Sequence, residues 1–185
     1  RPRSMVLRIT ENQMILTVVN ETKEPVKKNL EYGTMHPDGS EEKMLGEAYV
    51  SLKPHGRGRV FLPCPEEKED FFFVRDPEGE LDPCTDLRPY YRRYAIPKAE
   101  VEILSVREAG GGTQVTLRAG TLIPCVYLVT ENPEQKWDDN YFPMLPGETR
   151  TVRMEGSCRG VEVKTAGTEP ESTRPSERHC MTKDE

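Results

Sequence analysis

Acidic side chains are the most abundant groups in this chain that could do chemistry, and several stand in pairs: Glu41-Glu42, Glu66-Glu67 and Asp138-Asp139. Glycosidic acid/base catalysis needs two carboxyls facing each other across roughly 5 to 10 Å from rigid elements, one kept neutral by apolar surroundings. These pairs fall instead in polar stretches that read as turns, where water solvates both acids. The histidines, His36, His55 and His179, are scattered over loops and the C-terminal stretch. Five cysteines (Cys64, Cys84, Cys125, Cys158 and Cys180) form no C-x-x-C pair. An odd count without metal spacing argues against a disulfide scaffold or a zinc site. One bridge, Cys64 to Cys84 or Cys125 to Cys158, stays open, but inert thiols are the favoured reading. No Gly-x-Ser-x-Gly elbow is present, and Gly110-Gly111-Gly112 lacks the Lys-Ser/Thr of a phosphate-binding loop. The expectation is a chain with no catalytic residues, no metal site and no cofactor.

The densest stretch runs from Trp137 to Glu148: Trp-Asp-Asp-Asn-Tyr-Phe-Pro-Met-Leu-Pro-Gly-Glu. Asp138-Asp139-Asn140 could offer adjacent oxygens to Ca²⁺, but the further spaced ligands of a calcium loop are missing. A side-chain-to-backbone turn that shapes a rim is favoured over a metal. Leu145-Pro146-Gly147-Glu148 reads as a type II turn, since Gly after Pro supplies positive φ at no steric cost. Trp137, Asp139, Asn140, Tyr141 and Phe142 are the candidate rim or interdomain residues. Packing within their own module is the favoured reading for Tyr141 and Phe142, and Trp137 is evenly balanced. A second candidate is Tyr90, Tyr91 and Tyr94, interleaved with arginines. It could stack bases or sugars, but a half-exposed final strand from Leu87 to Pro97 is preferred, because Tyr and Arg both keep polar tips in water.

The elements that must position these residues are strands. The 16 Pro and 14 Gly interrupt the chain too often for long helices, and no sustained i, i+3, i+4, i+7 apolar pattern occurs. Strands are expected at residues 5–9, 14–20, 26–35, 47–52, 58–62, 70–76 and 87–97, the spacing of a β-sandwich. Phe71-Phe72-Phe73 puts rings on both faces of one strand, so that strand is buried on both sides or packs its outer face on a neighbouring domain. Core packing is the favoured case. Pro97-Lys98 reads as a linker short enough to force end-to-end packing. A second, smaller set of strands follows at 99–104, 113–119, 125–130, 149–154 and 160–164. From Ala166 onward nothing large and apolar is available to offset ordering entropy, and disorder is expected. The fold class is therefore all-β: two tandem immunoglobulin-like β-sandwiches over 1–97 and 98–165, plus a disordered C-terminal tail over 166–185.

Charge narrows the partners. The net charge is −6, which supplies no electrostatic reason to bind nucleic acid or an anionic membrane. The basic pairs Lys27-Lys28 and Arg92-Arg93 read as solvated surface. No apolar run approaches the ~20 residues of a transmembrane helix. The N-terminus has no initiator Met and enters a strand at once, as a piece of a longer protein would. Localisation is unreadable on those grounds.

The run Asp139-Asn140-Tyr141-Phe142-Pro143-Met144-Leu145-Pro146-Gly147-Glu148-Thr149-Arg150-Thr151-Val152 resembles the C-terminal signature of β-mannosidase-like glycoside hydrolases of family 2. That signature reads Asp-Asn-aromatic-Phe-x-Leu-x-Pro-Gly-Glu-x-Arg-x-Val, and Met144 here takes a Leu position. Val18-Val19-Asn20-Glu21-Thr22 is similar to a strand and turn of the preceding module. The passage from Phe72-Phe73-Val74 to Val101-Glu102-Ile103 is similar to the family's transition between modules. The likeness runs from about Met5 to Lys164. It implies two immunoglobulin-like modules that follow a TIM barrel carrying two catalytic glutamates. The barrel is not in this chain, so no catalytic residue carries over. The implied partner is that intramolecular barrel, with β-mannoside glycans as a further one. The rival readings are a free-standing carbohydrate-binding module and an adhesion-type tandem.

Overall fold

The computed structural model describes residues 2–10, 13–63, 70–87, 96–132, 135–158 and 160–166. Seven strands make the first sandwich: β1 (Arg3–Ile9), β2 (Gln13–Asn20), β3 (Val26–Met35), β4 (Lys43–Leu52), β5 (Arg57–Pro63), β6 (Phe71–Arg75) and β7 (Cys84–Thr85). They form two antiparallel sheets ordered β1-β2-β5 and β4-β3-β6-β7. In β2 the alternation Met14, Leu16, Val18 turns one face inward, against Leu30 and Val50 of the opposite sheet. Asn20 ends that strand buried. Its Nδ2 donates to the Glu24 and Lys53 carbonyls at 2.7 and 3.0 Å, and its Oδ1 accepts from Thr22 N–H at 3.1 Å. One amide thus ties two corners together, which explains the Val-Val-Asn-Glu-Thr run.

The second sandwich uses β8 (Val101–Ala109), β9 (Gly112–Ala119), β10 (Ile123–Thr130), β11 (Phe142–Met144), β12 (Thr149–Glu155) and β13 (Val161–Ala166). Its sheets are ordered β12-β9-β8 and β11-β10-β13. Position by position this repeats the first sandwich: first, second and fifth strands in one sheet; fourth, third and sixth in the other. Among the described residues it has no counterpart of β7. Gly110 and Gly111 both have positive φ, 61° and 80°, which gives the two-residue β8–β9 hairpin the twist its strands need. The core gathers Val115, Leu117, Val126, Phe142, Met144 and Val152.

Several expectations need adjusting. β4 begins at Lys43, β8 runs on to Ala109 and β13 to Ala166, where the tail was expected to begin. Phe142–Met144, not among the expected strands, is a strand. Lys28 is not on a solvated face. The alternation that turns Val26 and Leu30 inward buries it too, and its ammonium meets Asp76 at 3.5 Å, Glu80 at 3.2 Å and, closest, Glu78. The Glu78 contact, with Glu80 and Asp76, holds the Lys28 pKa above its ordinary value in spite of burial. Residues 88–95, with Tyr90, Tyr91, Tyr94 and Arg92-Arg93, lie outside the described residues. So do Cys64, Glu66-Glu67, Cys180, His179 and residues 167–185.

Candidate functional site

Asp138 and Asn140 of the Asp-Asp-Asn triplet spend their side chains on the backbone of neighbouring strands. Asp138 N–H donates to the Arg153 carbonyl at 2.8 Å, and its Oδ1 accepts from Arg153 N–H at 2.8 Å. Beside it, half-buried Trp137 bridges Met154 and packs on the second core. Asn140 does the same toward β10: Oδ1 accepts from Leu128 N–H at 2.9 Å and Nδ2 donates to the Leu128 carbonyl at 3.2 Å. An Asx side chain here imitates a strand partner, so the loop between β10 and β11 lies along both sheets. Among the described residues no group of three or more His, Cys, Asp or Glu could hold a metal ion.

The turn follows as read. Glu148 N–H donates to the Leu145 carbonyl at 3.0 Å, and Gly147 has φ +77°. Glu148 then reaches back, its Oε2 accepting from Leu145 N–H at 2.8 Å. Its Oε1 accepts from Arg150 Nε at 2.9 Å. Glu148 and Arg150 stand two apart at the head of β12, so a strand puts both on one face. Arg150 is buried, with 5% of its surface exposed. Its guanidinium lies 4.5 Å over the Phe142 ring, 3.4 Å from Asp139 and 4.0 Å from Asp82 of the first sandwich. A cation desolvated on an aromatic face and hydrogen-bonded to carboxylate is a strong, directional anchor. Burial holds the Glu148 carboxyl above its ordinary pKa, against the pull of Arg150 and of Leu145 N–H.

This anchor sits at the seam between the two sandwiches. Phe72 enters the first core, while Phe71 and Phe73 point the other way. There they meet Met35, Leu122 and Leu145, with Leu87 alongside. Phe71, Phe73 and Leu122 are essentially fully buried. The triple Phe therefore serves a core and an interface together, where core packing alone was favoured. Leu122 N–H donates across the seam to the Pro37 carbonyl at 2.8 Å. A Cβ placed on Gly39 would stand 2.8 Å from Pro146 Cβ, so the β3–β4 turn fits against the β11–β12 turn only with glycine there. An open groove of about 300 Å³ runs beside the anchor, lined by Arg3, Met5, Asp82, Cys84, Asp139 and Arg150.

The candidate residues thus separate. Asp139 and buried Phe142 join Arg150 at the seam, Trp137 lies at the far end of β12, and Asn140 holds Tyr141 beside β10. Tyr141 is 71% exposed, has φ +62°, and stacks on Tyr127 with centroids 5.4 Å apart and planes 14° apart. Tyr141 packs on its own module only through Tyr127 and stays outside the core: the left-handed backbone turns its ring onto the outer face of β10. Sequence reasoning missed Glu148 and Arg150 as a pair, although their i, i+2 spacing in a strand was a usable signal. It also missed Asp82 and Tyr127, which no local pattern marks. Among the described residues Cys84, Cys125 and Cys158 are free thiols, so the Cys125–Cys158 bridge is not formed. Glu148, Asp139 and Asp82 all engage Arg150 at the seam. No helix of the described residues is long and apolar enough to cross a membrane.

Comparison with known proteins agrees with this architecture. No curated protein sequence matches the chain. Among solved structures it is similar to the β-D-mannosidase from Dictyoglomus thermophilum, with a TM-score of 0.71, 18% identity, and coverage of 91% of this chain and 22% of that one. It is also similar to the exo-chitosanase of Amycolatopsis orientalis, with a TM-score of 0.56, 15% identity, and coverage of 89% and 26%. The chain thus spans about a quarter or less of the length of either structure, and at these identities the likeness is one of fold. The sequence model of the mannosidase immunoglobulin-fold domain matches residues 96–172, which contain the Pro-Gly-Glu-x-Arg anchor. Residues 96–172 are accordingly similar in sequence to the mannosidase immunoglobulin-fold domain.

Proposed function

We propose that this chain is the non-catalytic accessory region of a β-mannosidase-like glycoside hydrolase, divided near residues 97 and 98 into two modules that support a catalytic barrel. The observation that carries the reading is the seam. Phe71 and Phe73, Leu122 and Leu145, and the Asp82–Arg150–Glu148 chain tie one sandwich to the other through the residues of the domain signature. Two modules held at one angle make a strut, and a strut needs something to hold. The fold likeness over 91% of this chain to 22% of a β-D-mannosidase is consistent with that role. On this reading Trp137, Tyr141 and their neighbours face the barrel or the rim of its cleft, and hydrolysis belongs to groups outside residues 1–185.

The test is an assay of the complete gene product on p-nitrophenyl β-D-mannopyranoside. The full protein is expected to hydrolyse it. The isolated chain is expected to be inert, and removing residues 1–166 from the full protein should abolish soluble, active enzyme. A reading frame with no catalytic domain encoded upstream of Arg1 would overturn the proposal.

A further inference from the structure

Tyr141 is held on the surface at a cost. The left-handed region is sparsely populated by non-glycine residues because it is strained, so such a residue persists where surrounding contacts enforce it. Here Asn140 enforces it. Its side chain is fixed on both backbone groups of Leu128 and also accepts from Tyr141 N–H at 3.2 Å. The result is an almost parallel pair, Tyr127 beneath and Tyr141 above, with the outer Tyr141 ring open to water. A core packing role does not account for a ring that is 71% exposed.

The surroundings of the pair define what it could take. Tyr127 projects from the outer face of β10, directly opposite Lys164 on β13, and Val129 stands opposite Glu162. Lys164 and Glu162 are themselves 3.4 Å apart and exposed. The face therefore offers one flat aromatic surface bordered by hydroxyl, ammonium and carboxylate groups. A protein partner needs roughly 800 Å² per side with a desolvated apolar centre, and this face is too charged around its single open ring. A nucleobase would arrive with phosphates, which a chain of net charge −6 repels. A pyranose fits both features: one side presents a sheet of C–H bonds that packs flat on a ring, and its rim of hydroxyls needs donors and acceptors at the edge.

We propose that the stacked Tyr127–Tyr141 pair is a surface site for a pyranose unit of an oligosaccharide, with Lys164 and Glu162 bonding its hydroxyls. This goes beyond the supporting role above and, within it, requires the pair to stand at the open rim of the cleft rather than against the barrel; the binding itself is read on this chain alone. One ring and a few exposed hydrogen bonds imply a Kd on the order of 1 mM.

The experiment is a titration of the isotopically labelled chain, followed by amide chemical shifts, with β-1,4-mannohexaose, chitohexaose and maltohexaose taken up to about 20 mM, well past a millimolar Kd. Saturable shifts at residues 127, 141 and 162–164 with at least one sugar are expected. Tyr141→Phe should keep binding within about threefold, whereas Tyr141→Ala should weaken it by tenfold or more. A folded Tyr141→Ala variant that binds as tightly as the parent overturns the proposal. So does the absence of saturable shifts at these positions with all three sugars. If Tyr141→Ala is unfolded, Tyr127→Ala and Tyr141→Phe carry the same comparison on folded protein. Catalytic activity of the full protein does not enter the readout, so failure here leaves the accessory role untouched.

Discussion

At the seam, Arg150 is a buried cation shared by Glu148, Asp139 and Asp82, with a ring beneath it. Replacing it with Met keeps much of the volume but leaves Glu148 desolvated without its cation. A cost of about 3–5 kcal/mol is expected, readable as a lower urea midpoint, with part recovered when Glu148→Gln is added. The sign of the pH dependence follows from Glu148 itself. Its folded pKa lies above its ordinary value, so between the two the native state holds a proton that the unfolded chain has released. The Glu148 contribution to stability is greatest below the ordinary carboxylate range and is lost as pH rises through the folded value. Glu148→Gln should flatten that slope in urea titrations across pH, and Arg150→Met should steepen it; the opposite order would contradict burial as the cause. Cys84 behaves more simply. Burial pushes its thiol up to about 12, and only the thiolate reacts. Cysteine-specific alkylation at neutral pH, mapped by mass spectrometry, should leave Cys84 unmodified until the fold is melted.

Two glycines in the second sandwich distinguish element geometry from turn geometry. Gly147 has positive φ with open space around its Cα, so Gly147→Ala meets only backbone strain, about 1 kcal/mol. Gly112 begins β9 where the chain passes β12, and a Cβ there would stand 2.3 Å from the Met154 carbonyl oxygen. Gly112→Ala must move one strand and should cost about 3 kcal/mol. Thermal melting of the two variants gives the comparison, and equal costs would mean that β9 and β12 separate more easily than their register suggests. The strands themselves were readable in outline because alternation survives wherever one face is buried. Phe142–Met144 was not, since three residues carry no period. Cys84–Thr85 was not, since two residues make a strand only by pairing with Phe73 and Val74.

The molecule as a whole depends on the outer face of β6. Phe73→Ala removes a fully buried ring from the cluster of Met35, Phe71, Leu122 and Leu145. The loss should be about 3–5 kcal/mol, drawn from the contact between sandwiches rather than from either core. Calorimetry of the parent chain is expected to give one cooperative transition, and the Phe73→Ala variant two. A single transition, shifted but not split, would mean that the seam is not what couples the two bodies. Phe72→Ala is the contrast: its ring lies in the first core, so it should lower the first sandwich without uncoupling the second.

Local chemistry was enough to determine part of this protein. Pro and Gly density excluded long helices, period-two alternation placed most strands, and Pro146-Gly147 fixed its turn, because each depends on neighbouring residues alone. The motif from Asp139 to Val152 pointed to a family for the same reason, being contiguous. What the tertiary structure decided is what long separations bring together. Asp82 reaches Arg150 across 68 positions by subtraction of their numbers, and Leu122 meets Phe71 and Phe73 across the seam. The inward turn of Lys28 depends on carboxylates some 50 positions away. Such contacts are set by how two sheets stack, which no window along the chain contains, and so the signature could be recognised from the sequence before its purpose as a joint could be seen.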